Sequence, residues 1–281
     1  GIGLYRSNDE GETWEHMGLD QVGQIGKIVV HPTDPDRLYV AALGNIFGPN
    51  AERGVFRSED GGESWEKVLF KSDTTGAIDM VMHPGNPDIL YAAMWRAERK
   101  PWTLIDGGLE GGIWQSKDGG DTWEQLGGGL PTGLLGRIGL AISPANPKRI
   151  WALIQAAKEE DGGLYRSDDV GKNWKRINGH HKHRQRGWYY SHITADPQDE
   201  NTIYSSNTGF YRSIDGGKTF EERIRTPHGD NHGVWINPNN PDIMINCNDG
   251  GANVSLNGGK SWSTQQNQPP SEFYRISVDK G

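Results

Sequence analysis

One eight-residue phrase returns six times in this chain, and no other feature limits its fold so strongly. Ser116 to Trp123 reads SKDGGDTW; Ser7 to Trp14 reads SNDEGETW, Ser58 to Trp65 SEDGGESW and Ser167 to Trp174 SDDVGKNW. Two looser copies follow, SIDGGKTF at Ser213 to Phe220 and SLNGGKSW at Ser255 to Trp262. A period of roughly 40–60 residues marks a repeat architecture. The chemistry of the phrase is that of a turn. Asp or Asn accepts hydrogen bonds from backbone N–H groups a few residues on, glycine permits positive φ, and Trp starts the next strand. Each copy but the last follows a short strand pattern of the GLYRS type (3–7, 54–58, 112–116, 163–167, 209–213), so each joins two antiparallel strands. A carboxylate in such a loop invites a calcium or catalytic reading. Its recurrence in every unit makes it a fold-stabilising turn instead.

A second phrase lies between consecutive turns: IGKIVVHPTDPDRLYVAAL (25–43), GAIDMVMHPGNPDILYAAM (76–94), GRIGLAISPANPKRIWALI (136–154), YYSHITADPQDENTIYSSN (189–207) and NHGVWINPNNPDIMINCND (231–249). Each is an apolar strand, a Pro-containing turn and a second apolar strand. Every unit therefore has four antiparallel strands A to D, which predicts an all-β chain of four-stranded blades, a β-propeller; a solenoid is the second choice, with shorter repeats. The chain opens on a strand C and closes on EFYRISVDKG (272–281), read as a strand A. That gives five full blades and two partial ones in a single propeller domain over 1–281. It is read as part of a longer chain whose missing segments complete a ring of seven blades, with those remaining blades or a further propeller of the same protein as its partner.

A formal net charge of −8 and a pI near 5.6 argue against nucleic acid or an anionic membrane as partner. No apolar run approaches the ~18 residues of a membrane span. The single Cys247 excludes an internal disulfide framework.

Binding residues are sought on the inner strands and in the insertions. Four residues before each strand-A turn residue stand Lys27, Asp79, Gly139, His192, Gly233 and Arg275; six before it stand Ile25, Ala77, Arg137, Tyr190, Asn231 and Phe273. Period-two alternation places both sets on one side of the strand, a polar ring at a channel mouth that is either a wet lining or a ligand site. The turn residues themselves are His31, His83, Ser143, Asp196, Asn237 and Asp279, and the apolar positions one and three before them pack between blades. The insertions 42–54 and 94–112 add Arg53, Trp95, Arg96, Arg99 and Trp102. His228, Asp230 and His232 would share one side if extended, as an acid–base group or metal ligands. A polar, hydrogen-bonded loop is the reading adopted, with no metal and no cofactor expected. His180, His181, Lys182, His183, Arg184 and Arg186 read as a solvated basic loop, and Trp188, Tyr189 and Tyr190 as sugar-stacking or packing aromatics.

With LYVAALG, ERGVFRSEDGG, GWYYSHITADP and HGDNHGVWINPNNPDIMINCNDGGANVS, the chain resembles the Asp-box (bacterial neuraminidase repeat) propellers. It is most similar to bacterial proteins related to the N-terminal domain of sortilin and labelled glycosyl hydrolases. The resemblance implies an extracellular or periplasmic protein that binds or hydrolyses glycans, or a peptide-binding propeller of the sortilin type. Related xyloglucan-active glycosidases carry acids in Asp-x-Gly-Gly segments. Asp249-Gly250-Gly251 is similar but one residue shorter, making Asp249 a candidate acid with Asp230 or Asp79 as partner.

Overall fold

The structure, a computed structural model, describes residues 2–221, 223–266, 268 and 271–278. It divides into two compact units, 1–126 with 131–138 and 127–130 with 139–281.

The first unit begins with a two-stranded hairpin, β1 (Tyr5–Arg6) and β2 (Glu15–His16). A four-stranded sheet follows, β3 (Gln24–Val30), β4 (Leu38–Gly44), β5 (Gly54–Ser58) and β6 (Glu66–Leu69), antiparallel and in sequence order. The next sheet runs β7 (Thr75–Met82), β8 (Leu90–Lys100), β10 (Gly112–Ser116) and β11 (Glu124–Gln125), with β9 (Thr103–Asp106) paired to the outer half of β8. The insertion read as a loop at 94–112 is thus largely an extension of β8 and its own hairpin. Ala97↔Asp106 to Lys100↔Thr103 pair in register, because Trp95-to-Lys100 and Thr103-to-Asp106 continue a strand-compatible pattern.

The third sheet is β12 (Leu135–Ile142), β13 (Ile150–Ala156), β14 (Gly163–Ser167) and β15 (Lys175–Asn178), its first strand beginning in the first unit. The second unit continues with β16 (His192–Ala195), β17 (Ile203–Ser206) and β18 (Phe210–Ser213), then β19 (Asn231–Ile236), β20 (Met244–Asn248) and β21 (Gly251–Ser255). The all-β expectation and the antiparallel four-strand repeat hold, and these five sheets are the blades of a β-propeller. The last two stop at three regular strands. Past β18 the fourth strand shrinks to Glu221 N–H to Arg212 O and Ile224 N–H to Phe210 O. Past β21, side chains take the ladder positions: Gln268 bonds both the N–H and the C=O of Ala252, and Ser263 Oγ accepts from Val254 N–H. The sequence STQQNQ (263–268) offers amides rather than alternating apolar residues, so the edge of β21 is satisfied without a strand. Residues 271–278, expected to form a strand A, run without regular structure, and Asp279 lies outside the described residues.

The repeated phrase is the turn it promised. Ser58 Oγ donates to Asp60 Oδ1 and accepts from the N–H of Gly62, and Asp60 takes the N–H of Ser64 on Oδ1 and its hydroxyl on Oδ2. The same set recurs at Asp9, Asp118 and Asp215; at Asp169 the Asn173 amide replaces the hydroxyl, and Asn257 keeps the N–H bond on Oδ1 while its Nδ2 donates to the Ser261 hydroxyl. These bonds hold the Asp9, Asp60, Asp118 and Asp215 carboxyls at about 2. Gly119 and Gly120 sit at φ 71° and 100°, which their lack of Cβ allows. Val170 occupies the same place at φ 62°.

Side chains of the second and third strands also clamp the turn of the next blade in three places. Arg6 donates to Gly61 O at 2.9 Å; Arg57 and the Tyr39 hydroxyl donate to Gly119 O at 3.1 and 2.7 Å. Trp151 Nε1 and Arg166 reach Gly216 O at 3.0 and 3.2 Å. Inside each unit the apolar strand-B residues, among them Tyr39, Ala41, Leu90, Ala92, Trp151 and Leu153, are buried between sheets. Ile28 and Val30 of β3 are exceptions to the expected burial, at 44% and 52% exposure.

Candidate ligand-binding site

The inner strands carry an irregularity that decides which side chains meet solvent. In β3 the pairing steps from Ile25↔Ala42 to Lys27↔Ala41, leaving Gly26 extra; in β7, Ile78 is extra; in β19, His232 is extra. Each stands five residues before the strand-A turn residue. In the fourth blade that place is Ser191, at φ 67° just before β16. A bulge places one additional residue on the interior side and breaks the period of two. Residues four and six before the turn therefore do not share a face. Ala77, Arg137, Tyr190 and Asn231 are buried, whereas Lys27 is exposed and Asp79 and His192 are half-buried. The expected lining of both sets together is corrected for Ala77, Arg137, Tyr190 and Asn231, which are interior, while Ile25 is half-buried and Phe273 37% exposed. Arg137, expected at the mouth, lies with its guanidinium 6.0 Å from the centre of the Trp95 ring.

Glycines at this level of the inner strands also have a packing role. At Gly26 a Cβ would come within 2.2 Å of Ile78 O, and at Gly139 within 1.8 Å of Ser191 O. Backbones of adjacent inner strands approach this closely only where a side chain is missing.

In the second unit the bulge turns His232 inward, where it is the hub of a ring cluster. Its imidazole lies between Tyr190 (ring centres 5.4 Å apart, 24° between planes) and Tyr274 (4.1 Å, 33°). Tyr189 stands edge-on to all three, at 76° to Tyr190, 87° to His232 and 82° to Tyr274. His232 Nε2 meets Asp249 Oδ1 at 2.6 Å. A carboxylate accepts only, so Nε2 carries the proton. Asp249 sits in the turn between β20 and β21, its side chain 23% exposed against 1% for His232. The hydroxyls of Tyr189 and Tyr274 bond each other, and Tyr274 also donates to Glu272 at 3.1 Å. That phenol pairing, with burial, lifts the Tyr274 pKa well above its ordinary value. Burial, then the nearby Asp230 carboxylate, does the same to Tyr190.

Arg275 closes the rim. Its Nη1 lies 3.1 Å from His192 Nε2 and 3.4 Å from the carbonyl of His232. Between His192 and Arg275 in the four-back series stands Gly233, which has no side chain to block the reach. Phe273 N–H donates to Asn248 O at 3.1 Å and fixes the segment beside β20.

A family model described as sortilin, neurotensin receptor 3, matches residues 3–133, and a BNR-Asp box repeat model matches residues 164–177. The chain is an Asp-box β-propeller. A xyloglucanase of Acetivibrio thermocellus is 27% identical over 83% of this propeller and 29% of its own length. The crystal structure of a Niastella koreensis GH74 enzyme superposes with a TM-score of 0.62 at 16% identity, covering 93% of the propeller and 42% of that chain. A structure titled YCF48 bound to D1 peptide gives a TM-score of 0.60 at 14% identity, covering 99% and 82%. The propeller thus spans under a third of the length of the xyloglucanase.

Of the residues named from sequence, Tyr190, His192, Asn231, His232, Asp249, Arg275 and Trp188 gather in the second unit. Trp188 lies 5.5 Å from Tyr189 and is 38% exposed. His228, Asp230 and His232 do not share a strand side: β19 starts at Asn231, and Asp230 is left-handed at φ 53°. His228 is exposed next to Gly250, whose missing Cβ would lie 2.9 Å from its ring. Among the described residues no group of three or more His, Cys, Asp or Glu is arranged to hold a metal. Lys27, Asp79 and Trp102 belong to the first unit; Asp79 Oδ1 accepts from Met80 N–H, and Trp102 is 81% exposed at the β8–β9 turn. Three expected surface groups are interior instead. Arg53 is wholly buried on four backbone carbonyls. His183 packs against Phe220 with its Nδ1 3.1 Å from Ser205 Oγ, and burial pushes its pKa down to about 3. Its neighbour Arg184 is buried against Glu159. Tyr274 and Glu272 were not singled out from sequence, although the FYRIS phrase that contains Tyr274 was.

Proposed function

We propose that this propeller binds a glycan at the Tyr189–His232–Asp249–Tyr274 site, where the aromatic surfaces of Trp188 and Tyr274 take a sugar face. Asp249 accepts from its hydroxyls, and Arg275 and His192 donate at the rim. The observation that carries the reading is a carboxylate fixed by a buried imidazole beside partly exposed aromatic rings, a pairing of apolar surface and oriented polar group suited to sugars. The xyloglucanase relative supports the same class of ligand. Hydrolysis requires a second carboxyl about 5–10 Å from the first. Asp230 fills that role in this reading. An extracellular or periplasmic location, and completion by further blades, belong to the same proposal.

Calorimetric titration with xyloglucan oligosaccharides tests it, alongside product analysis with the longest available chain. Binding that is lost in Asp249→Asn supports the site, and turnover that is lost in the same variant adds the hydrolase. No binding to any glycan on an array refutes it. The sortilin-type match over residues 3–133 favours a second reading, capture of a peptide. Peptide binding without glycan binding would establish that one.

A further inference from the structure

Three polar atoms around the His232 stack have no hydrogen-bond partner of ordinary geometry among the described residues: Asn231 Oδ1, His232 Nδ1 and the Tyr190 hydroxyl, which the Asp230 carboxylate approaches. All three side chains are at most 1% exposed. Buried polar groups are satisfied in more than roughly nine cases in ten, so three orphans on adjoining residues are a request for hydrogen bonds. The character of the request follows from Asp249. In the neutral imidazole, giving Nε2–H to that carboxylate leaves Nδ1 with a lone pair. Asn231 Oδ1 is an acceptor as well, and its amide nitrogen is turned to Asn207 O at 3.4 Å. The Tyr190 hydroxyl both gives and takes. Above this group lies the Tyr274 ring, on a segment without regular structure whose Tyr274 is 40% exposed.

We propose that Asn231, His232 and Tyr190 form an acceptor-rich subsite for a hydroxyl group of the ligand, with Tyr274 as its cover and His232 as the residue that sets specificity. This rests on the glycan reading above and deepens it. The bulge places Asn231 and His232 side by side on the interior face, and the Asp249 bond sets which nitrogen of the imidazole is left to accept. A ligand lacking a donor at this place would leave the acceptors unpaired, the circumstance in which a polar site discriminates most strongly.

Two near-isosteric variants separate this role from simple support of Asp249. Gln places its amide near Nε2, keeping the bond to Asp249 and removing the acceptor at Nδ1; Asn places its amide near Nδ1 and gives up Asp249. Titration with a xyloglucan oligosaccharide is expected to rank wild type above His232→Asn and His232→Asn above His232→Gln. The Gln variant is expected to bind about tenfold more weakly, the worth of one hydrogen bond. Circular dichroism and melting curves confirm that both variants are folded. The reverse order, with His232→Gln near wild type, overturns the proposal and leaves His232 as a tether for Asp249. Equal binding by all three overturns it too, the acceptors then serving an internal water only. In both of those cases the glycan reading stands; it falls, and this inference with it, if wild type binds no glycan.

Discussion

Arg53 offers the sharpest test of how the first unit holds its insertion. Its side chain is fully buried, with Nη1 2.8 Å from Leu43 O and Nη2 at 2.9, 3.3 and 3.1 Å from the carbonyls of Asn45, Gly48 and Ala97. One guanidinium thus ties the loop after β4 to the outer half of β8. Replacing it by Met keeps much of the volume and removes the side-chain donor of the Leu43 and Ala97 carbonyls, whereas the Asn45 and Gly48 carbonyls still accept from Asn50 Nδ2. An unsatisfied buried group costs about 1–3 kcal/mol. Against this, removing a cation whose pKa burial already depresses recovers some desolvation energy. Taking about 2 kcal/mol for each of these two carbonyls and subtracting about 1 kcal/mol for that recovery leaves a net loss of about 3 kcal/mol. At about 2 °C per kcal/mol for a domain of this size, the melting temperature should fall by about 6 °C. Scanning calorimetry reads the shift, and hydrogen exchange should show faster exchange at the amides of 45–50. Arg53→Lys should recover only part of the loss, because an ammonium cannot reach carbonyls on both sides at once. A change below about 1 kcal/mol with unaltered exchange would refute the reasoning, since the carbonyls would then have other partners.

The turn carboxylates predict acid sensitivity. A folded pKa near 2 against an ordinary 3.8 gives stabilisation that is complete above about pH 4 and is lost as pH falls towards 2. Asp60→Asn should flatten that decline, since Asn257 already makes the equivalent bonds, and urea midpoints measured from pH 5 to 2 would show it. Val170→Gly should raise stability by up to about 1 kcal/mol, relieving a β-branched residue at φ 62°, with chemical denaturation as the readout. Gly139→Ala should destabilise the second unit strongly, since the new Cβ meets Ser191 O at 1.8 Å; a melting temperature equal to wild type would show that the strands can part.

The hairpins, the blade period and the scaffolding role of the aspartates were legible because each is set by a local phrase. Pairing register was not. Whether Ile78 or His232 is the extra residue depends on the partner strand, and no residue type announces it, so period-two counting put Asn231 beside His192 when one is buried and the other half-exposed. Arg53 and His183 misled for a related reason: polarity was read as exposure, yet both find acceptors or ring faces inside. Asp249, His232 and Tyr190 were recoverable from the HGDNH, NDGG and GWYY phrases. Tyr274 was missed as a partner because its segment was counted as a strand rather than as a cover.

The recurrent extra residue on the inner strands has an evolutionary corollary. It separates each strand end into a position that builds the interior and a neighbour that does not. Lys27, exposed in the first full sheet, is free to be exchanged for other chemistries without disturbing the packing beneath. A single scaffold of this kind can try out new ligands one blade at a time.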